Sequence, residues 1–148
     1  MTRFLKLLLK RNLLTVAAFA GVLAPQALRA ADELCPRENA TFHGTYVLSG
    51  TGTRVGVGPI AAVGEITSDG KGNTIATYTA SVNGTIHKGV TVTGIYSVDG
   101  DCTGSLAESD GSHYEFVVTP DGSKVSWIRT DTGFATSGTE VRLRNLFD

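Results

Sequence analysis

Apolar and polar residues alternate in short runs over most of the chain after residue 41. Clusters of Asp, Gly, Asn and Ser separate these runs at intervals of about ten residues, an arrangement typical of β-hairpins. The 3.6-residue apolar period of a helix is absent, so helix is expected only before residue 31 and in a short turn after Pro36. The pattern predicts eight strands near residues 42–49, 59–67, 74–81, 89–98, 102–108, 113–119, 124–130 and 138–144.

Side chains along a strand point alternately to its two faces, so parity separates inward from outward positions. The predicted inward rows are Phe42, Gly44, Tyr46 and Leu48; Ile60, Ala62, Gly64 and Ile66; and Val90, Val92, Gly94, Tyr96 and Val98. On the last strand, Val141 and Leu143 are expected inside, and Glu140, Arg142 and Arg144 in water. These rows favour an all-β fold, an eight-stranded antiparallel up-and-down barrel without exposed edges. A two-sheet sandwich is the alternative.

The first thirty residues have the composition of a secretory signal peptide. Five cations and no acid occur there, and the apolar run Leu13–Leu23 is too short to cross a bilayer about 30 Å thick. Cleavage after Ala30 is expected, with Ala27 and Ala31 as rival positions. The prediction is therefore a signal peptide over residues 1–30 and a single β-barrel domain over residues 31–148, located in the periplasm or outside the cell.

The net charge of the predicted domain excludes some classes of binding partner. Residues 31–148 carry eight cations and fourteen acids, a net charge of −6. An acidic domain argues against nucleic acid or anionic lipid as a partner, and after signal cleavage no membrane association is expected.

The chain contains two cysteines, Cys35 and Cys102, and both follow the predicted signal peptide. A disulfide between them is expected in an oxidising compartment, because neither cysteine has Cys or His at a usual metal-ligand offset. The pairing also fits the topology. Cys35 precedes the first strand and Cys102 follows the fourth, and a meander brings those two strand ends to the same rim.

The run Gly94–Gly104 resembles a Gly-x-Tyr-x-Val…Asp-Cys-Thr-Gly signature of uncharacterised secreted bacterial proteins, and the resemblance extends over roughly residues 35–144. In shape, such chains are similar to the eight-stranded barrels of the lipocalin and allene-oxide-cyclase or dirigent type. The functional residues of those families have no counterpart here, so the resemblance implies no catalytic residue. A weak internal repeat, in which Gly44–Gly50 aligns with Gly94–Gly100, indicates a symmetrical build.

Few side chains suggest catalysis or metal binding. Parity places His43 and His113 outside, and His87 falls in an irregular connection. No Ser-His-Asp order or metalloprotease motif occurs, and the Asp-Gly clusters lack the complete oxygen pattern of a calcium loop. No catalytic residue, metal or cofactor is therefore predicted, and the Asp-Gly pairs are interpreted as hairpin turns.

Arg129 is the most informative polar residue. If Pro120–Ser123 forms a turn, Phe116 pairs with Trp127 and Tyr114 with Arg129, all on the inward face. A cation at such a position needs a partner or water. One hypothesis makes Arg129 the anchor for a carboxylate or polar head in a site lined by Tyr46, Tyr96, Tyr114 and Trp127. A second places it at the rim, stacked on Tyr114. A third makes it part of a structural ion pair, with Glu65 or Glu108 as the candidate partner.

These observations favour a non-enzymatic barrel, secreted or periplasmic, that binds a small apolar or carboxylate ligand in its interior. A structural or protein-interaction module with a filled core is the alternative. A barrel enzyme of the cyclase or isomerase kind is a third hypothesis. Nothing in the sequence determines the oligomeric state.

Overall fold

A computed structural model describes residues 34–143. They form a closed barrel of eight antiparallel strands in which each strand pairs with its sequence neighbours and β1 pairs with β8. The strands are β1 (His43–Arg54), β2 (Gly58–Asp69), β3 (Asn73–Val82), β4 (Thr85–Val98), β5 (Thr103–Glu108), β6 (His113–Val118), β7 (Lys124–Arg129) and β8 (Phe134–Arg142). The predicted barrel is confirmed, and the predicted signal peptide lies outside the described residues.

The short turns between the strands follow from the Asp-Gly and Asn-Gly sequences. Gly70, Gly84, Gly111 and Gly122 all have positive φ, a conformation that glycine adopts without a steric penalty. At Asp69 the carboxylate also accepts hydrogen bonds from the backbone N–H groups of residues 71 and 73, which holds the β2–β3 turn. Each such turn lets the next strand return antiparallel to the one before it.

One end of the barrel is covered by the segment that leads into β1. A single 3₁₀ turn, Glu38–Thr41, lies across this closed end. The Asn39 side chain accepts a hydrogen bond from the backbone N–H of Val98 at 2.7 Å. A disulfide joins Cys35 to Cys102, with both cysteines buried. It therefore ties the covering segment to the end of the barrel where β4 leads into β5, as the topology argument predicted.

Most of the predicted inward rows are confirmed by burial. Phe42, Tyr46, Ile66, Val92 and Tyr96 all belong to the hydrophobic core. The aligned segments around Tyr46 and Tyr96 do not form a rotational repeat, however, because β1 runs away from the closed end and β4 runs towards it. Tyr46 and Tyr96 instead both pack against Phe42.

The predicted facing of β8 is wrong. Glu140 is 5% exposed, whereas Val141 and Leu143 are 52% and 46% exposed. Pairing fixes this orientation, because Glu140 lies opposite Leu48 of β1 and Val125 of β7, which both face inward. β8 also begins at Phe134, four residues before the predicted start. Neighbouring inward rows determine the facing of this strand more strongly than its own apolar residues do.

No helix in residues 34–143 has the length and apolar character needed to cross a lipid bilayer.

Candidate functional site

The closed half of the barrel is filled by aromatic side chains. The rings of Tyr46 and Tyr96 pack edge-on against Phe42, with centroids 4.9 and 5.1 Å from its centroid. The Tyr46 hydroxyl donates to the carbonyl oxygen of Gly122 at 2.8 Å, and the Tyr96 hydroxyl oxygen lies 2.8 Å from the carbonyl oxygen of Phe42. Both predicted ligand-binding tyrosines thus hold the cover of the closed end and do not line the cavity. Their hydroxyl groups are already bonded to the backbone.

The open half of the barrel contains a cavity of about 470 Å³ that opens to solvent. The apolar part of its wall includes Leu48, Ile60, Ala80, Leu106, Phe116 and Val125. The aromatic and charged part includes Tyr78, Tyr114, Trp127, Phe134, Arg54, Arg129, Glu108, Asp110 and Glu140. An eight-stranded barrel has room for side chains or for one small ligand, and here the open half is not filled by side chains.

Two inward glycines make room for the indole ring of Trp127. A Cβ atom at Gly50 would lie 2.5 Å from Trp127 Cη2, and one at Gly138 would overlap with Cζ2 of the same ring. The indole therefore rests directly on the backbone of β1 and β8, where these two glycines pair with each other. Tyr114 packs edge-on against it at a centroid distance of 5.3 Å. Trp127 is held in place, with one edge forming part of the cavity wall.

Two polar atoms in the cavity wall are buried without a hydrogen-bond partner among the described residues. They are Nε1 of Trp127 and Oε2 of Glu140. The two residues are diagonal neighbours on β7 and β8, since Trp127 pairs with Gly138 and Val125 with Glu140. Buried polar atoms are almost always satisfied by protein or water. A polar group of a bound molecule would therefore be stabilised most by hydrogen bonds at this part of the cavity wall.

Arg129 lies at the mouth of the cavity. The predicted hairpin register is confirmed, because Tyr114 pairs with Arg129 and Phe116 with Trp127. Its Nε donates to Oδ2 of Asp131 at 2.6 Å, and its guanidinium lies 3.6 Å from the centroid of the Phe134 ring. Its distance to the Tyr114 ring is 5.9 Å. The ion-pair partner is thus Asp131 in the β7–β8 loop, and the suggested partners Glu65 and Glu108 were wrong.

Asp131 also accepts hydrogen bonds on the outer side of this rim. Its other carboxylate oxygen lies 2.8 Å from Nδ1 of His113, and the backbone N–H of His113 donates to Oδ2. The hydrogen bonds from His113 and Arg129 lower the pKa of Asp131 to about 2. The His113 side chain is 61% exposed, so it faces solvent as predicted and belongs to the rim rather than to the cavity.

Two carboxyl groups of the cavity hold their protons unusually strongly. Burial, reinforced by the charge of Glu108, raises the pKa of Glu140 to about 8. Burial, reinforced by Asp110, raises the pKa of Glu108 to about 7. Burial and the charge of Glu108 also raise the pKa of Tyr114. At neutral pH, Glu140 is therefore mainly protonated and Glu108 is partly so.

Sequence reasoning missed several residues of this cavity. Glu140 was placed in solvent, and Tyr78, Phe134 and Arg54 were not considered. A signal was present for two of them: Phe134, Thr136, Gly138 and Glu140 share one parity, so a strand started at Phe134 would have put Glu140 inside. Tyr78 also had a signal, because it lies within the predicted strand 74–81 and shares its parity with Ala76 and Ala80. Arg54 had none, because it lies beyond residue 49, where the first strand was predicted to end.

A second depression lies on the outer wall of the barrel, over β1, β2, β3 and β8. It encloses about 530 Å³ but is a shallow surface feature, lined mainly by small side chains such as Ser49, Ala61 and Thr79. None of the unpartnered buried atoms found in residues 34–143 belongs to its lining. The interior cavity is therefore the better candidate for a binding site.

Comparison with known proteins gives little further information. No family model matches the chain. No match is found among curated proteins. A solved structure described as the de novo design of a fluorescence-activating beta barrel is similar, with 16% identity and a TM-score of 0.47 over 70% of this chain and 94% of that chain. The architecture of the barrel rests on the strand pairing described above.

Proposed function

We propose that this protein is a non-enzymatic, secreted or periplasmic barrel that binds one small, largely apolar molecule in its open half. The cavity supplies apolar walls for the body of the ligand and a few polar groups for its orientation, as small-molecule sites usually do. The observation that carries the proposal is the pair of unsatisfied atoms, Trp127 Nε1 and Glu140 Oε2, in the wall of an open cavity of about 470 Å³.

Export is proposed on three grounds. The disulfide between Cys35 and Cys102 indicates an oxidising, non-cytoplasmic environment. The cationic and apolar pattern of residues 1–30 is that of a signal peptide, as argued from the sequence. The resemblance of residues 94–104 to secreted bacterial proteins supports the same location.

Trp127 provides a direct assay, because it is the single tryptophan of the chain and lines the cavity. A ligand that enters the cavity should change the wavelength and intensity of its emission in a saturable way. Small apolar alcohols and amines are suitable first probes. A titration that never departs from the solvent control, for every probe tried, would count against the proposal.

A matched pair of alanine variants separates interior binding from adsorption. Ala80 is buried and lines the cavity, whereas Ala107 on β5 is exposed on the outer face. Ala80→Phe should occupy cavity space and abolish the emission change, and Ala107→Phe should leave it intact. Circular dichroism shows whether both variants remain folded. Equal binding by the two variants would place the ligand outside the barrel.

Glu108 favours a second candidate function, an enzyme of the cyclase or isomerase kind. Its pKa of about 7 would allow proton exchange at neutral pH in a site that also contains Tyr114. Mass spectrometry and chromatography of a bound ligand, before and after incubation, distinguish the two functions. Conversion by the wild type that is lost in Glu108→Gln would support an enzyme; unchanged ligand would support a binding protein.

A further inference from the structure

The acidic side chains that face the cavity are not neutralised by the basic side chains of its wall. Glu108, Asp110 and Glu140 line it, and Arg54 and Arg129 are the cations of its wall. Among residues 34–143, the salt bridges found join Asp131 to Arg129 and to His113, so none involves a cavity carboxyl group. The open half therefore contains acids whose charge no described side chain neutralises by direct contact.

The two arginines of the wall are engaged elsewhere. Arg129 is paired with Asp131, and its guanidinium also lies over the ring of Phe134. Arg54 lies over the same ring at 5.2 Å from its centroid and is exposed at the rim. Both guanidinium groups are thus held around Phe134 at the mouth. Neither of them supplies a counter-ion to the buried carboxyl group of Glu140.

Glu140 is the deepest of the unmatched acids. It is 5% exposed, and its Oε2 has no hydrogen-bond partner among the described residues. The groups beside it in the neighbouring strands are apolar, Leu48 on β1 and Val125 on β7. Arg142, two residues further along β8, packs against Gly44 towards the closed end. A carboxyl group buried in this way is stable only if it keeps its proton or meets a cation.

Aromatic rings complete the surroundings of this carboxyl group. Tyr114 and Trp127 pack against each other at 5.3 Å, and Tyr78 lines the same cavity. The face of an aromatic ring attracts organic cations, and a carboxylate adds both charge and a hydrogen-bond acceptor. Rings and unpaired carboxyl groups in one enclosed space are the chemistry by which a protein recognises an ammonium group.

We propose that the occupant of the cavity is an organic cation: an apolar molecule with a protonated amine whose nitrogen lies against Glu140, within reach of Glu108, and whose body contacts Trp127. This inference rests on the proposed function and names its ligand class. It replaces the carboxylate ligand suggested by the sequence, because a carboxylate beside Glu140 would face two acidic side chains, Glu108 and Glu140, whereas Arg54 and Arg129 lie at the mouth of the cavity.

The titration of the two acids is consistent with this ligand. In the empty cavity, protons neutralise Glu140 and Glu108, as their raised pKa values of about 8 and 7 indicate. Asp110, Tyr114 and Arg129 are the other charged or titratable groups that act on Glu108. An ammonium group would take the place of the proton, so its binding should release protons to the buffer. Binding of a neutral alcohol should release none.

The test compares three eight-carbon probes that differ only in their head group: n-octylamine, 1-octanol and octanoate. Isothermal titration calorimetry at pH 7.5 gives the affinity of each for the wild-type protein. We expect octylamine to bind at least about tenfold more tightly than octanol, and octanoate to bind most weakly, because hydrogen bonds to charged groups exceed neutral ones by roughly this margin.

Two conservative variants and one control test whether the carboxyl groups of the cavity cause the preference for the amine. Glu140→Gln and Glu108→Gln keep the shape of the side chain and remove its charge, so each should reduce the ratio of octylamine affinity to octanol affinity towards one. Glu115→Gln removes an acid of the same type from the outer face of β6 and should change neither. Circular dichroism checks that each variant is folded. If one cavity variant fails to fold, the other still provides the test.

Each remaining outcome has a definite meaning. Equal affinity of octylamine and octanol would overturn the cation inference and leave the proposed function standing. Tightest binding of octanoate would overturn it in favour of Arg129 as an anchor. An amine preference that survives in both cavity variants would also overturn it. Absence of binding by all three probes would count against the proposed function itself.

Discussion

At the scale of single residues, Glu140 should make the stability of the protein depend on pH. The folded protein keeps a proton on Glu140 up to about pH 8, whereas an unfolded chain releases it near the usual pKa of 4.5. The contribution of Glu140 to the free energy of unfolding should therefore be fully present below pH 4.5 and should be lost as the pH rises to about 8. Glu140→Gln should remove the part of this slope that Glu140 contributes, with Glu108 still contributing up to about pH 7, and should stabilise the protein at pH 8 by roughly 1–3 kcal/mol.

Urea unfolding at a series of pH values measures this prediction. Glu115→Gln, on the outer face, is the matched control and should retain the wild-type slope. A wild-type stability that is level or rises between pH 5 and pH 8, with no difference in Glu140→Gln, would mean that the carboxyl group is satisfied by a contact the structure does not contain.

Arg129 should contribute to the rim rather than to ligand affinity. Its Nε–Asp131 bond and its contact with Phe134 are both lost in Arg129→Met, and the side chains of the pair are 20% and 21% exposed. We expect a loss of about 1 kcal/mol in the free energy of unfolding, typical of a partly exposed ion pair. Octylamine affinity should be unchanged or higher. A loss of octanoate affinity without a loss of stability would restore the anchor hypothesis.

The packing of the Trp127 ring against the backbone of β1 allows a third test. Gly50→Ala would place a methyl group 2.5 Å from Trp127 Cη2, so the ring must move and stability should fall by roughly 1–3 kcal/mol. Near-ultraviolet circular dichroism and Trp127 emission report the displacement. In a Trp127→Leu background the same glycine substitution should cost much less. Equal costs in the two backgrounds would show that the indole is not what excludes a side chain at this position.

Sequence reasoning succeeded and failed at this scale for identifiable reasons. The facing of Arg129 and Trp127 was predicted because the Pro120–Ser123 turn fixes the register of one hairpin. The partner of Arg129 was missed because Asp131 lies in a loop, where strand parity gives no information. Glu140 was missed because the apolar side chains of Val141 and Leu143 were assumed to face the core, although both are exposed on the outer wall.

At the scale of elements, the disulfide and the covering segment should act as one unit. The bridge closes a loop with a sequence separation of 67 residues, and the chain-entropy relation gives about 4 kcal/mol for such a loop. A Cys35→Ser, Cys102→Ser double variant should lose stability of that order. Hydrogen exchange should increase first in residues 34–42, while the strand amides remain protected. Equal loss of protection throughout the barrel would show that the segment is not a separate unit.

The strands themselves were predicted from alternation and turn chemistry, and their ends were less well defined. β8 begins at Phe134 rather than near residue 138, and β1 continues to Arg54 rather than residue 49. The β1 extension includes Gly50 and Gly52, and the β8 extension includes Ala135; glycine and alanine are depleted in strands and weaken the local signal. They form because β1 and β8 pair with each other along nine residue pairs to close the barrel. Closure is a property of the whole sheet that no local sequence window contains.

At the scale of the whole molecule, the eight-stranded fold was predictable and the cavity was not. The number of strands, their antiparallel order and the position of the disulfide all follow from local spacing and from the alternating direction of strands. The free volume depends on the sum of the inward side chains in each half. Phe42, Tyr46 and Tyr96 crowd the closed half, whereas the small side chains of Ala62 and Ala80 leave space in the open half, where Gly50 and Gly138 let the Trp127 ring lie against the wall.

The central claim is that the open half of this barrel holds a small molecule in its natural setting. Native mass spectrometry of the protein purified from the organism in which it is naturally made tests it most directly, with Ala80→Phe prepared in the same way as the control. We expect the wild type to carry the additional mass of one small, cationic organic molecule and the variant to lack it. The bare polypeptide mass for both proteins, with the disulfide intact, would contradict the claim.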